Sequence, residues 1–418
     1  MLTADLYHQS SDRQPGWLVG LEDQMTISSP QIQAASLTEE GDWTSRIRRL
    51  NSLIKLGQQE FQQGRLAEAL HSFEAAWKLA ASAQLPAEAA RLQGWCGLIY
   101  RRFGRSQSAL QAYQRALAFY RSIPDPGRSA FLTSEIGQVL LQQGRLSEAL
   151  LYCLAGLRLH LQLADQGQGN TLATGMSHAA LGLVWLSFRE LAEAEKHFSA
   201  ALICYQQDSY QPGIATLCYY QGLIALAKTQ LEQAAGLFQQ VNILARDCKG
   251  KEEIALLSEH GLGCLAACRK SWPEAISRLS RVCEGAQRLQ HRYLQAKSSL
   301  ELARVLQQAG HYAEAKRYCL QAQTLAREEG YRLLLAHSEI LLGDLFVVRG
   351  QVAQALAHYR EGCSLAAPTE LHTYLQAKQR MIQGLLPVLE GLEKERGQSR
   401  QQRVTGSPSL ESEADEGL

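Results

Sequence analysis

A surplus of either charge is what this sequence most plainly lacks. Its 42 Lys and Arg stand against 41 Asp and Glu, for a formal net charge of +1. A nucleic-acid binder carries a basic excess on some face, so no nucleic-acid partner is expected. No stretch of 18 residues is apolar without polar interruption, so no membrane span is expected. The opening run MLTADLYHQSSDRQPGW has no basic region followed by an apolar core, which predicts no signal peptide. None of the ten cysteines falls in a CxxC pair: Cys96, Cys153, Cys204, Cys218, Cys248, Cys264, Cys268, Cys283, Cys319 and Cys363. A secreted disulfide framework is short and loop-rich; this chain is neither, and a reducing, cytoplasmic setting is expected.

The marks of catalysis are missing too. There is no GxxxxGK[ST], no GxSxG and no HExxH, and the glycine-containing run from Gly167 to Asn170 follows a helical segment rather than a strand, which is the wrong context for a phosphate. The stretch from Ala164 to Thr174 around it reads as a long loop. Eleven histidines find no compact acid–base partner and give no triad. His260, Cys264 and Cys268 are spaced by four, with Cys283 on the following helix. Zinc takes such ligands, but cysteines in apolar surroundings pack as small hydrophobes. No metal, no cofactor and no enzymatic activity are expected.

What is present is a repeat. A chain of 418 residues is long for one globular domain, but tandem units that pack only on their neighbours escape that limit. LGQQEFQQGRLAEALHSFEAA begins at Leu56, CGLIYRRFGRSQSALQAYQRA at Cys96, IGQVLLQQGRLSEALLYCLAG at Ile136 and LGLVWLSFRELAEAEKHFSAA at Leu181. Weaker copies begin at Gly222, Gly261, Glu301 and Leu342, for eight units with a period near 40.

Each unit has one physical plan. A small residue sits inside a first helix: Gly57, Gly97, Gly137, Gly182, Gly222, Gly263, Ala303 and Gly343. Glycine there costs about 0.5–1 kcal/mol relative to alanine, so its recurrence predicts a close helix–helix approach. A turn follows at Gly64, Gly104, Gly144, Arg189, Thr229, Lys270, Gly310 and Gly350. An alanine then opens the second helix at Ala69, Ala109, Ala149, Ala194, Ala234, Ala275, Ala315 and Ala355. Four residues later, on the same helical face, comes a filler: Phe73, Tyr113, Cys153, Phe198, Phe238, Leu279, Cys319 or Tyr359.

Small residue, turn glycine, alanine and aromatic filler in this order resemble the tetratricopeptide repeat, over roughly Leu50 to Gln379. Two departures stand out. The period is near 40 rather than the family's 34, and the family's proline after the second helix is mostly absent. The longer units are similar to a subgroup found in cytoskeletal adaptors, bacterial phosphatase-like regulators and sensor arms of transcription factors. The resemblance implies an all-α, right-handed α-solenoid of tandem helical hairpins. It implies a scaffold, adaptor or assembly factor that grips a partner segment in its concave groove. Two alternatives stand beside it: a regulator of a signalling partner such as a response regulator, and a self-associating solenoid that forms a homo-oligomer. The expected layout is a mostly disordered segment at 1–44, eight repeats over 45–368, a capping helix at 369–392 and a disordered polar tail at 393–418.

In this family the first helices line the groove, and its positions carry over by phase. They place Arg91, Arg101 and Arg102 as a basic lip, then Phe131 and Leu141, Leu183 and Leu186, Tyr219, Leu223 and Leu226, and His260, with Lys297 and Arg304 beyond. The middle of the groove is thus expected to be apolar and its flanks basic, suited to an apolar or amphipathic protein segment with acidic flanks. The phase that holds asparagine in members that clamp a chaperone's terminal carboxylate holds Gln58, Leu98, Gln138, Leu183 and Leu223 here, which argues against that ligand.

Overall fold

The computed structural model describes residues 37–123, 125–246 and 251–366. The regular elements among them are all helices, in eight successive pairs. These are α1 (Leu37–Gln62) with α2 (Leu66–Ser82), α3 (Pro86–Arg102) with α4 (Ser106–Ser122), α5 (Pro126–Gln142) with α6 (Leu146–Asp165), and α7 (Thr171–Ser187) with α8 (Leu191–Gln207). Then come α9 (Gln211–Ala227) with α10 (Leu231–Arg246), α11 (Lys251–Cys268) with α12 (Trp272–Arg288), α13 (Arg292–Gln308) with α14 (Tyr312–Glu329), and α15 (Arg332–Val348) with α16 (Val352–Ala366). The first helix begins upstream of position 45, where the array was expected to start. The expected capping helix at 369–392, the tail at 393–418 and the leading residues 1–36 lie outside the described residues.

The recurring small residues explain why the chain folds into pairs. All eight repeat alanines are completely buried. Where the small residue of the first helix is glycine, it faces the filler of the second. A Cβ added at Gly57 would stand 2.9 Å from the Phe73 ring, one at Gly97 2.7 Å from Tyr113, and one at Gly137 2.5 Å from the Cys153 sulfur. The same pairing joins Gly182 to Phe198, Gly222 to Phe238, Gly263 to Leu279 and Gly343 to Tyr359. Each filler therefore occupies the space that a side chain on the first helix would need. Ala149→Leu is expected to overpack the third hairpin and lower stability by about 1–3 kcal/mol. An unshifted thermal melt would remove Ala149 from the helix contact.

The turns within the hairpins are left-handed whatever residue they carry. Gly64, Gly104 and Gly144 have φ of 77°, 72° and 74°, and Arg189, Thr229 and Lys270 reach 64°, 60° and 59°. The connection read as a long loop between Ala164 and Thr174 is shorter than that. Helix α6 runs to Asp165 and α7 starts at Thr171, so the extra residues of this unit are shared between a longer helix and a slightly longer connection. Asn170 ends the connection as a cap, its side chain accepting from Ala173 N at 2.9 Å, which satisfies a free N–H of the first turn. Asp125 does the same for Arg128 N at 2.9 Å, ahead of Pro126 at the first helical position.

The chain divides within α15 into two compact units, at Ser338 and Glu339. In the second unit Tyr359 donates to Asp344 at 2.5 Å and His358 meets Glu339 at 2.7 Å. In the first unit the helical pairs stack in order, and the stack returns on itself. The turn after α3 meets the connection that leads into α13: Arg292 N donates to Phe103 O at 2.9 Å. One repeat further along both partners the pairing recurs, with Arg332 N donating to Gln143 O at 3.1 Å. Tyr331 is completely buried and donates its hydroxyl to Gly104 O. Its ring lies edge-on to Tyr293 at 5.1 Å. This clasp joins the second and third hairpins to the connections flanking the seventh, so the row of hairpins between them closes into a ring, whose inner side we call the channel.

Candidate functional site

The channel wall is made by the first helices, α3, α5, α7, α9, α11 and α13. Of the expected groove residues, Phe131 and Leu141 on α5, Leu183 and Leu186 on α7, and Leu223 and Leu226 on α9 are half-buried. Each packs one side against its neighbours' cores and leaves the other reachable by solvent.

Two expected anchors behave differently. Tyr219 is 0% exposed and His260 1% exposed, so neither is free to touch a partner. Both were placed in the groove by phase, but the side chains turn into the contact between neighbouring hairpins, where each finds a polar partner. Tyr219 accepts a hydrogen bond from Lys297 Nζ at 3.0 Å and lies 3.1 Å from His260 Nδ1. The ammonium also stands 5.4 Å from the centre of the tyrosine ring. Because Lys297 can only donate, the hydroxyl proton of Tyr219 goes to Nδ1. The imidazole then carries its own proton on Nε2, which is buried and meets no partner among the described residues. Burial, with the nearby Lys297 charge, holds His260 well below the usual imidazole range, which keeps the ring neutral.

The basic lip is also reorganised. Arg91 pairs with Glu88 on its own helix. Arg101 donates through Nε to Glu135 at 2.8 Å, and Tyr113 donates to the same carboxylate at 2.7 Å. Glu135 is 1% exposed, and it is the one acidic residue of α5. A lone carboxylate in an apolar helix was the available signal that Arg101 would be engaged internally. Arg102 stacks on Phe61, 5.5 Å from the ring centre. These three cations are therefore not a uniform basic rim.

The channel brings distant hairpins into electrical contact. Glu253 of α11 is held down to about 2: burial pushes its carboxyl up, but His291, Arg102 and Arg101 together outweigh it. Lys297 and Arg101 both act on Tyr220, so the second, fifth and seventh hairpins face a common space. The cysteines and histidine read as possible ligands do not gather there. Cys264 Sγ lies 3.7 Å from His260 Nδ1, Cys268 is exposed, and Cys283 is buried against Ser298 at 3.4 Å. Among the described residues no three His, Cys, Asp or Glu side chains group as a metal site would, and no helix is long and apolar enough to cross a membrane.

Residues 54–126 match the tetratricopeptide repeat family. Those residues carry the tetratricopeptide repeat. Such repeats typically form non-catalytic scaffolds for protein–protein interaction. No curated protein matches the sequence. Among solved structures, the array is similar to NprR in complex with its cognate peptide NprX, at 14% identity and a TM-score of 0.55, over 84% of this chain and 99% of that one. It is also similar to a tetratricopeptide repeat protein from Parabacteroides merdae, at 15% identity and a TM-score of 0.40, over 70% of this chain and 98% of that one. The apo form of RapI matches at 15% identity and a TM-score of 0.49, over 67% of this chain and 98% of that one. At these identities the likeness to NprR establishes a shared fold over most of the array.

Proposed function

We propose that this tetratricopeptide array is a non-catalytic adaptor that holds an extended segment of another protein inside the channel of its first unit. The observation that carries this is the row of half-buried apolar side chains, Phe131, Leu141, Leu183, Leu186, Leu223 and Leu226, on three successive first helices. Apolar surface kept in contact with water costs about 25 cal/mol per Å², and a groove that only had to be stable has no use for it. The clasp favours an extended segment or chain end over a folded domain, because it ties the second and third hairpins to the seventh and limits the opening between them. NprR, which has the same fold, holds a peptide, so the architecture is compatible with one.

Leu183→Asp combined with Leu223→Asp places two charges on the wall. Both positions are half-buried, so helicity measured by circular dichroism should survive. The variant is expected to lose a partner that the wild type retains from native extract. Retention of every partner by the folded double variant would move the binding surface elsewhere. A changed mass in light scattering, with no partner lost, would favour self-association instead.

A further inference from the structure

The fourth hairpin brings two histidines together. His178 of α7 and His197 of α8 meet Nδ1 to Nδ1 at 3.0 Å, with ring centres 5.2 Å apart and planes tilted by 35°. Both side chains are half-buried, on helices held together by the buried Ala194 and by Gly182 against Phe198. Among the described residues neither Nε2 has a hydrogen-bond partner, and neither is buried, so water reaches both. In the neutral pair one Nδ1 carries a proton and the other a lone pair. Moving that proton to Nε2, where water accepts it, turns both Nδ1 lone pairs into the same space. Burial holds both imidazoles below their usual range, helped at His178 by the neighbouring ring, while Glu193 and Lys196 act in opposite senses on His197. Both rings are therefore neutral near pH 7, the form in which imidazole binds a metal.

The spacing selects a coordination geometry. With metal–nitrogen bonds of about 2.0–2.1 Å, two imidazoles at right angles stand about 2.8–3.0 Å apart, and two at the tetrahedral angle about 3.3–3.4 Å. The observed 3.0 Å matches the right angle. Tetragonal coordination by nitrogen and oxygen belongs to Cu2+ and Ni2+, and Cu2+ binds such ligands most tightly. We propose that His178 and His197 form a two-imidazole site for a tetragonal divalent ion, Cu2+ foremost, with water in the remaining positions. The carboxylate that bears on His197, Glu193, pairs with Lys196 at 3.6 Å, so no third protein ligand is assigned. The two histidines lie 19 residues apart on different helices, which is why no short ligand motif announces them. A bound ion bridges the two helices of one hairpin and stabilises the folded state by mass action.

The test titrates Cu2+ into the full-length protein against glycine as competing chelator, with frozen-solution electron paramagnetic resonance as the readout. Wild type is expected to hold one ion with an axial spectrum coupled to two imidazole nitrogens, and to melt at a higher temperature as Cu2+ is added. His178→Asn and His197→Asn should each weaken binding at least about tenfold, since loss of even an outer-shell partner costs that much, and should lose the two-nitrogen coupling and the melting shift. His71→Asn, which removes an exposed histidine of α2, should change none of these. Equal binding by wild type and both site variants overturns the proposal. So does a wild-type spectrum with oxygen ligands alone, a two-nitrogen signal that disappears in His71→Asn, or the absence of retained Cu2+. Circular dichroism checks that each variant keeps the wild-type helicity. Should one of the site variants fail to fold, the other variant and the wild-type nitrogen count decide the matter.

Discussion

Gly104→Ala is expected to open the clasp, whereas Gly64→Ala, at the equivalent turn of the first hairpin, is expected to leave it closed. Both glycines are left-handed, with φ of 72° and 77°, so both substitutions carry a similar backbone cost of roughly 1–2 kcal/mol. They differ in space. A Cβ at Gly104 would stand 2.5 Å from the backbone nitrogen of Tyr293 and 2.7 Å from the Tyr331 hydroxyl. Nothing lies within 4 Å of a Cβ at Gly64. The nitrogen is backbone and cannot rotate away, so the second hairpin and the α13 connection must separate. That exposes the Arg292–Phe103 and Tyr331–Gly104 hydrogen bonds, worth about 0.5–1.5 kcal/mol each. Small-angle scattering should report a larger radius of gyration for Gly104→Ala than for Gly64→Ala. Faster amide exchange at Arg292 and Arg332 should accompany it. Equal radii and equal exchange for the two variants would mean that the turn contact does not hold the first unit closed.

The second large effect is expected at Glu135. Its carboxylate receives Arg101 at 2.8 Å and Tyr113 at 2.7 Å, and the Tyr113 hydroxyl is pushed well up by burial and by that carboxylate. Glu135→Ala leaves a guanidinium and a phenol without their acceptor. Breaking a buried pair from one side costs about 3–5 kcal/mol. The lower end applies here, because Arg101 is 19% exposed and recovers some hydration. Urea denaturation should move by that amount for Glu135→Ala. The double variant Glu135→Ala with Arg101→Met should recover much of the loss, since no charge is then stranded. If the single and double variants unfold at the same urea concentration, the pair is not what stabilises the third hairpin.

These two cases also mark the limit of what the sequence could tell. The hairpins were legible because their packing is local. Gly137 against Cys153 and the buried Ala149 follow from side chains a few turns apart, and the same spacing recurs down the chain. The left-handed turns were legible where glycine stands, and the phase alone placed Arg189, Thr229 and Lys270 among them. The burial of Tyr219 and His260 was not legible. Phase assigns a helix face, but whether a long side chain on that face points to solvent or folds into the neighbouring hairpin depends on the partner it finds, here Lys297. Nothing local places Arg292 beside Phe103 either. That contact sums the small rotations of several hairpins, and no single hairpin encodes the total.

An open solenoid is a row of dominoes. Each hairpin leans only on the next, the terminal ones fray first, and unfolding can travel inward one unit at a time. The Arg292–Phe103 and Arg332–Gln143 pairings tie early units to late ones and turn the row into a loop with no loose member between them. Loss of any intervening hairpin then also releases the tie, so the enclosed hairpins melt as a group. Assembly is affected in the opposite sense. The tie joins residues far apart in the chain, and such contacts form slowly because the intervening segment must be ordered first. Folding of the first unit is therefore expected to end on the step that links its second and third hairpins to its seventh.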